Sequence, residues 1–264
     1  MIEGATDRAN LERAGRAAFP GFRLDALAVT TSTQDVARAA ARSGVATGFC
    51  CMALAQTAGR GRQERAWIAP PGSSLLASVL VRIRHGRLGG ASIATGLALR
   101  AAIASTSPCQ PRLKWPNDIL AGGGKLAGIL CEVEPAALGE GTAVVAGMGV
   151  NLRVPSFPTG VDGVSLHDLA NPVPSPSGLL AAALPELAAR LEILEASGMD
   201  RLRAEWMDHA AGLGQAVVAT SAAGRVSGVA EGIDDDGALV VRVAGGGEVR
   251  ILAGDVHLAP GTPA

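Results

Sequence analysis

The spacing of apolar and polar positions changes several times along the chain, and each change marks an element. Residues 7–18 are weakly patterned and read as a short helical lead-in. Phe22 to Val29 reads as a first strand. Ser32 and Thr33 then precede Val36, Ala37, Ala40 and Ala41, with Asp35 in the first turn. That order predicts a helix whose first N–H groups are capped by a hydroxyl. Phe49 to Ala55 and Ser74 to Ile83 are apolar runs of strand length, and Ala91 to Ala104 is an Ala-rich helix. Leu126 to Val133 and Thr142 to Val150 are apolar and β-rich, which predicts adjacent central strands. Residues 154–178 carry Pro155, Pro158, Pro172, Pro174 and Pro176 and read as an irregular crossing. Leu180, Leu184, Leu187, Leu191 and Leu194 then recur at helical spacing and predict one core-facing stripe. Pro185 falls inside that stripe and predicts a kink or a restart. Met199 to His209 is a further helix.

After Gly212-Leu-Gly214 the texture becomes all-β. Gln215 to Ala219, Val226 to Ile233, Ala238 to Val243 and Glu248 to Leu252 are short strands, separated by turns at Ala223-Gly224, Asp235-Asp236-Gly237 and Gly245-Gly246-Gly247. This stretch reads as a small β-barrel. The expected fold class is α+β: a mixed β-sheet with helices over residues 1–211, then an all-β module over residues 212–264. No internal repeat is present.

Composition narrows the function classes. The 264 residues are 48 % apolar, enough for a sizeable core, yet tyrosine is absent and aromatics total 3 %. The few aromatics, Trp67, Trp115 and Trp206 among them, are therefore informative. The net charge of −1 gives no global attraction to nucleic acid or anionic lipid. In the β module Arg225, Arg242 and Arg250 face Glu231, Asp234, Asp235, Asp236, Glu248 and Asp255, a local charge of −3 that suits no nucleic acid. Cys50, Cys51, Cys109 and Cys131 lack metal-ligand spacing and read as reduced, largely buried thiols, while His85, His167, His209 and His257 are scattered. His167 and Asp168 read as a solvated loop pair. The N-terminus lacks a basic start followed by an apolar stretch, and the apolar runs are too short to span a bilayer. A cytoplasmic chain without membrane contact is expected.

Candidate chemistry sits in two glycine-bearing segments. Gln56-Thr-Ala-Gly-Arg-Gly-Arg-Gln-Glu-Arg-Ala-Trp67 sets Arg60, Arg62 and Arg65 among Gly59 and Gly61. Glycines let such a loop approach a ligand closely, and guanidinium forks match phosphate and carboxylate oxygens. A solvated basic loop is the plain alternative. Lys114-Trp115-Pro116-Asn117-Asp118 follows later, then Gly122-Gly123-Gly124 and Lys125 at the start of a strand. An amide can read an adenine edge, a carboxylate can hold Mg²⁺, and the lysine can pair with a carboxylate or phosphate. An ordinary hairpin with turn residues is the alternative here, and Trp115 or Trp67 could be plain core.

The two segments, in order with Ser32-Thr33-Gln34, Lys125-Leu-Ala-Gly-Ile-Leu130 and Gly149-Val150-Asn151, resemble the biotin protein ligases over roughly residues 22–258. The resemblance implies a class II synthetase-like catalytic domain and an SH3-like C-terminal β-barrel. It implies that biotin and Mg-ATP give biotinyl-5′-AMP, whose acyl group passes to a lysine of a biotin carboxyl carrier protein domain, as in acetyl-CoA carboxylase. By this likeness Ser32, Thr33, Gln34 and Gln56 face biotin, with its ureido ring read by Ser32, Thr33 and Gln56. Arg60, Gly61 and Arg62 close over the adenylate, and Lys125 holds the biotin carboxylate and then the acyl-phosphate. Asn117 and Asn151 reach the adenine, with Trp67 and Lys114 also on the ATP side. Asp118 is the candidate for Mg²⁺. Lys125, Arg60 and Arg62 are thus the catalytic candidates.

Two positions depart from the family pattern. Glu64 stands where relatives usually carry Gly, which predicts a less cationic and less flexible loop. Gln34 stands where many carry Asn. About 20 residues precede the first strand, too few for the helix-turn-helix of regulatory members, so no DNA-binding activity is expected. Apolar β edges leave room for a homodimer. Lipoate or octanoate protein ligases and transferases of the same fold are the nearest rivals, although an acyl transferase would need a reactive cysteine or lysine without this loop. A non-catalytic binding module is the rival from another class, and Glu64 favours it.

Overall fold

The computed structural model describes residues 5–83, 88–135, 137, 141–221 and 224–258. His85, Ala223 and the last residues of the 212–264 span lie outside them. The chain opens with α1 (Ala5–Ala18), β1 (Arg23–Thr30), α2 (Thr33–Arg42), β2 (Phe49–Gln56) and β3 (Ser74–Ile83). It continues with α3 (Gly90–Thr106), β4 (Arg112–Lys114), β5 (Asp118–Ala121), β6 (Gly124–Glu134) and β7 (Thr142–Asn151). Helices α4 (Leu166–Leu169), α5 (Pro176–Ser197) and α6 (Asp200–His209) follow.

Seven strands form one sheet in the order β1-β2-β3-β7-β6-β5-β4. β1 pairs with β2 in parallel and every other pair is antiparallel, so the sheet is mixed as expected. β6 and β7 are neighbours, as their apolar runs predict. Both faces of the sheet are covered, and this explains why its strands are apolar without alternation. Phe49, Cys51, Leu80 and Val145 meet Ala37 and Ala41 of α2 on one face. Cys50, Met52, Val79, Val81 and Met148 join the large core with α1, α3 and α5 on the other. α3 is buried almost all round, which matches its lack of a polar stripe.

Three local expectations change. His167 and Asp168, expected as a loop pair, are exposed as expected but lie within the short helix α4. Ser32 stands at the N-cap of α2 with extended backbone, but neither hydroxyl caps the helix. The Thr33 hydroxyl turns toward the sheet instead, where it lies 2.8 Å from Ser78 Oγ. α5 runs unbroken through Pro185, whose ring is exposed while Leu184 and Leu187 are buried on either side. Its start follows local rules: Ser175 Oγ accepts from the Gly178 N–H at 3.1 Å, and Pro176 occupies the first turn.

The second sheet comprises β8 (Ala216–Ser221), β9 (Gly224–Ile233), β10 (Leu239–Val243), β11 (Glu248–Ile251) and β12 (Asp255–Leu258), in the order β11-β10-β9-β8-β12. All its pairs are antiparallel. Its edges β11 and β12 do not pair among the described residues, so hydrogen bonding leaves the expected barrel open. Strand β12 was not legible, because four residues alternating polar and apolar give too short a signal. The Asp234–Gly237 turn of this sheet rests on the larger one. There Trp115 Nε1 donates to Gly237 O at 2.9 Å, and Arg203 of α6 pairs with Asp235 at 2.6 Å. No helix among the described residues is long and apolar enough to cross a membrane.

Candidate active site

One cavity of about 1290 Å³ opens between the exposed loop after β2, the β4–β6 hairpins and the second sheet. Ser32, Thr33, Gln34, Gln56, Arg60, Gly61, Arg62, Trp67, Lys114, Asn117, Asp118, Lys125 and Asn151 all line it. Segments far apart in sequence, each carrying one block of the expected pattern, therefore converge on a single space.

One end of the cavity is polar. Gln56 Oε1 accepts from the Thr33 backbone N–H at 2.7 Å and from its hydroxyl at 3.1 Å. Ser78, which the sequence reading missed, completes this cluster from within the apolar run of β3. Ser32 is buried beside them. Gln34 is 3 % exposed; its Nε2 donates to Leu130 O, Val145 O and Glu132 Oε2 at 3.2, 3.3 and 3.0 Å. Those acceptors fix the amide's orientation and leave Oε1 buried without a donor. A buried acceptor without a partner costs about 1–3 kcal/mol, a cost that a donor reaching it would remove.

The floor is a glycine lane on β6 and β7. A Cβ added to Gly149 would stand 2.7 Å from the Trp67 indole, and one added to Gly128 would stand 3.0 Å from it. Glycine here lets the ring lie directly on the strands. Lys125 Nζ sits 5.8 Å from the indole centroid and 2.6 Å from Asp118 Oδ1. The Trp67 Nε1 donor is buried without a partner. The two candidate amides are engaged by the protein itself. Asn117 Nδ2 donates to Ile129 O at 2.9 Å, and Asn151 Nδ2 donates to Lys125 O at 3.2 Å. Lys114 lines the cavity from the end of β4.

The arginine loop crosses the cavity mouth as a flap. Its neck is closed by Trp67 N to Gly59 O at 2.9 Å and Gly61 N to Arg65 O at 2.7 Å. At the tip, Gln63 and Glu64 have φ of 53° and 58°, the left-handed region that favours glycine. Glu64, which replaces the expected Gly, therefore sits where a side chain strains the backbone. Arg62 Nη1 donates to Asn117 Oδ1 and to Gly254 O, each at 3.2 Å. Arg65 pairs with Asp255. Burial pushes the Arg62 guanidinium pKa down, with Asp255 and Asp118 pulling it back. The second sheet thus contributes directly to the site, through a segment that sequence reading assigned no role.

Among the described residues no group of three or more His, Cys, Asp or Glu gathers into a metal cluster. The thiols offer no nucleophile. Burial pushes Cys131 up to about 11 and Cys51 up to about 12, and it raises Cys50 and Cys109 as well.

A mixed sheet whose flap and strand-borne amine share one cavity, with a small β-sheet at the rim, has the parts that an acyl-activating protein ligase needs. The chain belongs to the biotin protein ligases. Residues 26–151 match the Biotin/lipoate A/B protein ligase family and residues 212–258 match the Biotin protein ligase C terminal domain. It is 38 % identical to the biotin–[acetyl-CoA-carboxylase] ligase of Mycobacterium tuberculosis, over 90 % of each chain. It is 34 % identical to the ligase of the same name from Paracoccus denitrificans, over 84 % of this chain and 95 % of that one. The fold matches the biotin protein ligase of Aquifex aeolicus solved with biotin and ATP, with a TM-score of 0.79 at 22 % identity over 90 % of this chain and 99 % of that one. The open second sheet is accordingly of the SH3-like kind.

Proposed function

We propose that this chain activates biotin with ATP and passes the biotinyl group to a lysine of a biotin carboxyl carrier domain, such as that of acetyl-CoA carboxylase. The observation that carries the reading is the shared cavity, which joins an unpaired buried acceptor on Gln34, the Lys125 amine and Arg62 of the flap. Residues 1–211 then act as the catalytic domain and 212–264 as the C-terminal module.

The polar end suits the ureido ring. Gln34 Oε1 would accept a ring N–H, and Ser32, Thr33 and Gln56 would complete the hydrogen bonds around it. The biotin carboxylate would then reach toward Lys125, which would exchange its bond to Asp118 for one to the ligand. In the first step a carboxylate oxygen attacks the α-phosphorus, the bond to the bridging oxygen breaks, and pyrophosphate leaves. Lys125, Arg62 and Lys114 neutralise the charge that develops, without a covalent enzyme intermediate. Trp67, Asn117 and Asn151 form the nucleotide wall. Arg60 and Gly61 shape the flap that keeps water from the mixed anhydride. In the second step the carrier amine attacks the acyl carbon, AMP leaves and the amine loses a proton.

Mg²⁺ fits this site as a companion of the nucleotide. Asp118 would supply one hard oxygen once Lys125 turns to the ligand, and phosphates and water would supply the rest. It would offset phosphate charge. The reading extends to a cytoplasmic enzyme.

Purified chain mixed with labelled ATP and biotin, lipoate or octanoate tests the proposal. Pyrophosphate release with biotin alone, followed by biotinylation of a carrier domain, is expected. Release driven by lipoate or octanoate would replace it with the rival activity, and no release with any of the three would point to a binding module.

A further inference from the structure

Arg60 belongs to the flap, yet its fork faces an acid on a neighbouring helix. Nη2 lies 2.6 Å from Asp35 Oδ1 and Nη1 lies 3.0 Å from Asp35 Oδ2. This two-pronged geometry fixes direction as well as distance. Asp35 stands in the first turn of α2, and α2 is itself fastened to β6. Arg38 Nε and Arg42 Nη2 each reach Glu134 Oε2 at 2.9 Å, and Glu134 is 2 % exposed. Glu132 of β6, which takes the Gln34 amide, lies 3.9 Å from Arg60. The entrance of the flap is thereby bolted to a rigid helix. Its far end is held by Arg62 and Arg65 on the second sheet, and its tip carries the left-handed Gln63 and Glu64. A flap with a strained tip stays in place only if its ends are anchored.

We infer that Asp35 is a positioning residue: acting through Arg60, it holds the flap across the cavity and thereby retains the acyl nucleotide. Asp35 does not line the cavity. The retention half of the inference rests on the biotin-activation reading, whereas the anchoring half does not. An acid in the first turn of a helix can instead serve only the helix dipole, and the test separates the two.

The test uses Asp35→Asn in the full chain. Without ligand, trypsin should cleave after Arg62 and Arg65 about fivefold faster than in the parent, the scale of one well-aligned, half-exposed ion pair. The melting temperature should hold. After loading with biotin and ATP, the adenylate should escape about fivefold faster, while first-turnover pyrophosphate formation stays at the parent rate. Asp35→Glu should recover part of both effects. In an Arg60→Ala background, Asp35→Asn should add nothing. Unchanged cleavage, full additivity with Arg60→Ala, or a lowered melting temperature with unchanged cleavage each overturns the inference. If the parent releases no pyrophosphate with biotin, the biotin reading falls, and the trypsin arm still decides whether Asp35 anchors the flap.

Discussion

Lys125, Gly149 and Trp67 form the smallest unit of the site that makes sense by itself: an amine, a bare stretch of strand and a ring lying between them. β7 is paired on both sides, by β3 and β6, so its backbone cannot retreat. In Gly149→Ala the new methyl must therefore lift the indole. We expect a red-shifted emission from Trp67, read against a Trp67→Phe control, and biotin-dependent pyrophosphate release slowed by about tenfold. An unchanged spectrum would show that the ring does not rest on the strand. The residues legible from local pattern were those that break it, arginines among glycines and a lysine after Gly122-Gly123-Gly124, whereas Ser32, Thr33, Gln34 and Asn151 entered through the family resemblance. Ser78 and Asp35 were not legible as site residues. One lies inside an apolar strand and the other at a helix start, and their partners, Thr33 and Arg60, are fixed only by tertiary contact.

At the scale of elements, the two-faced sheet governs both the reading and the chemistry. Because both faces are covered, Cys50 and Cys51 point into opposite cores. Burial raises the Cys131 thiol from the ordinary 9.0 to about 11. The folded chain therefore keeps a proton that the unfolded chain loses above pH 9. This contribution to stability is complete below that pH and is lost as pH rises toward about 11. Melting temperature should fall over that window, and iodoacetamide should leave Cys50, Cys51 and Cys131 unmodified at neutral pH. Rapid alkylation of any of them at pH 7 would reopen the thiol-dependent acyl-transferase alternative. The long strands were legible because apolar runs need no tertiary information, whereas the four-residue β5 and β12 were too short to show. The course of α5 through Pro185 was not, because the exposed ring is tolerated by packing of flanking leucines that the local rule ignores.

At the scale of the molecule, the second sheet is part of the site. Its Gly254 carbonyl and Asp255 carboxylate hold the flap, and its Gly237 carbonyl takes the Trp115 indole beside Asn117 and Asp118. Composition revealed the change of texture at Gly212 but nothing of these contacts, which join positions more than a hundred residues apart. Trp115→Phe keeps most of the buried ring and removes one hydrogen bond, a cost of about 1 kcal/mol, or roughly 2–4 °C in melting temperature for a chain of this size. Differential scanning calorimetry would check it, and an unchanged melting temperature would show that the tie between the sheets carries no weight. The central claim, that a strand-borne amine and an arginine flap act together on one activated acyl nucleotide, is tested most directly by single-turnover adenylate formation in Lys125→Ala. The account predicts a loss of about a hundredfold or more with the fold intact by circular dichroism. A variant that forms biotinyl-5′-AMP at the parent rate would contradict it.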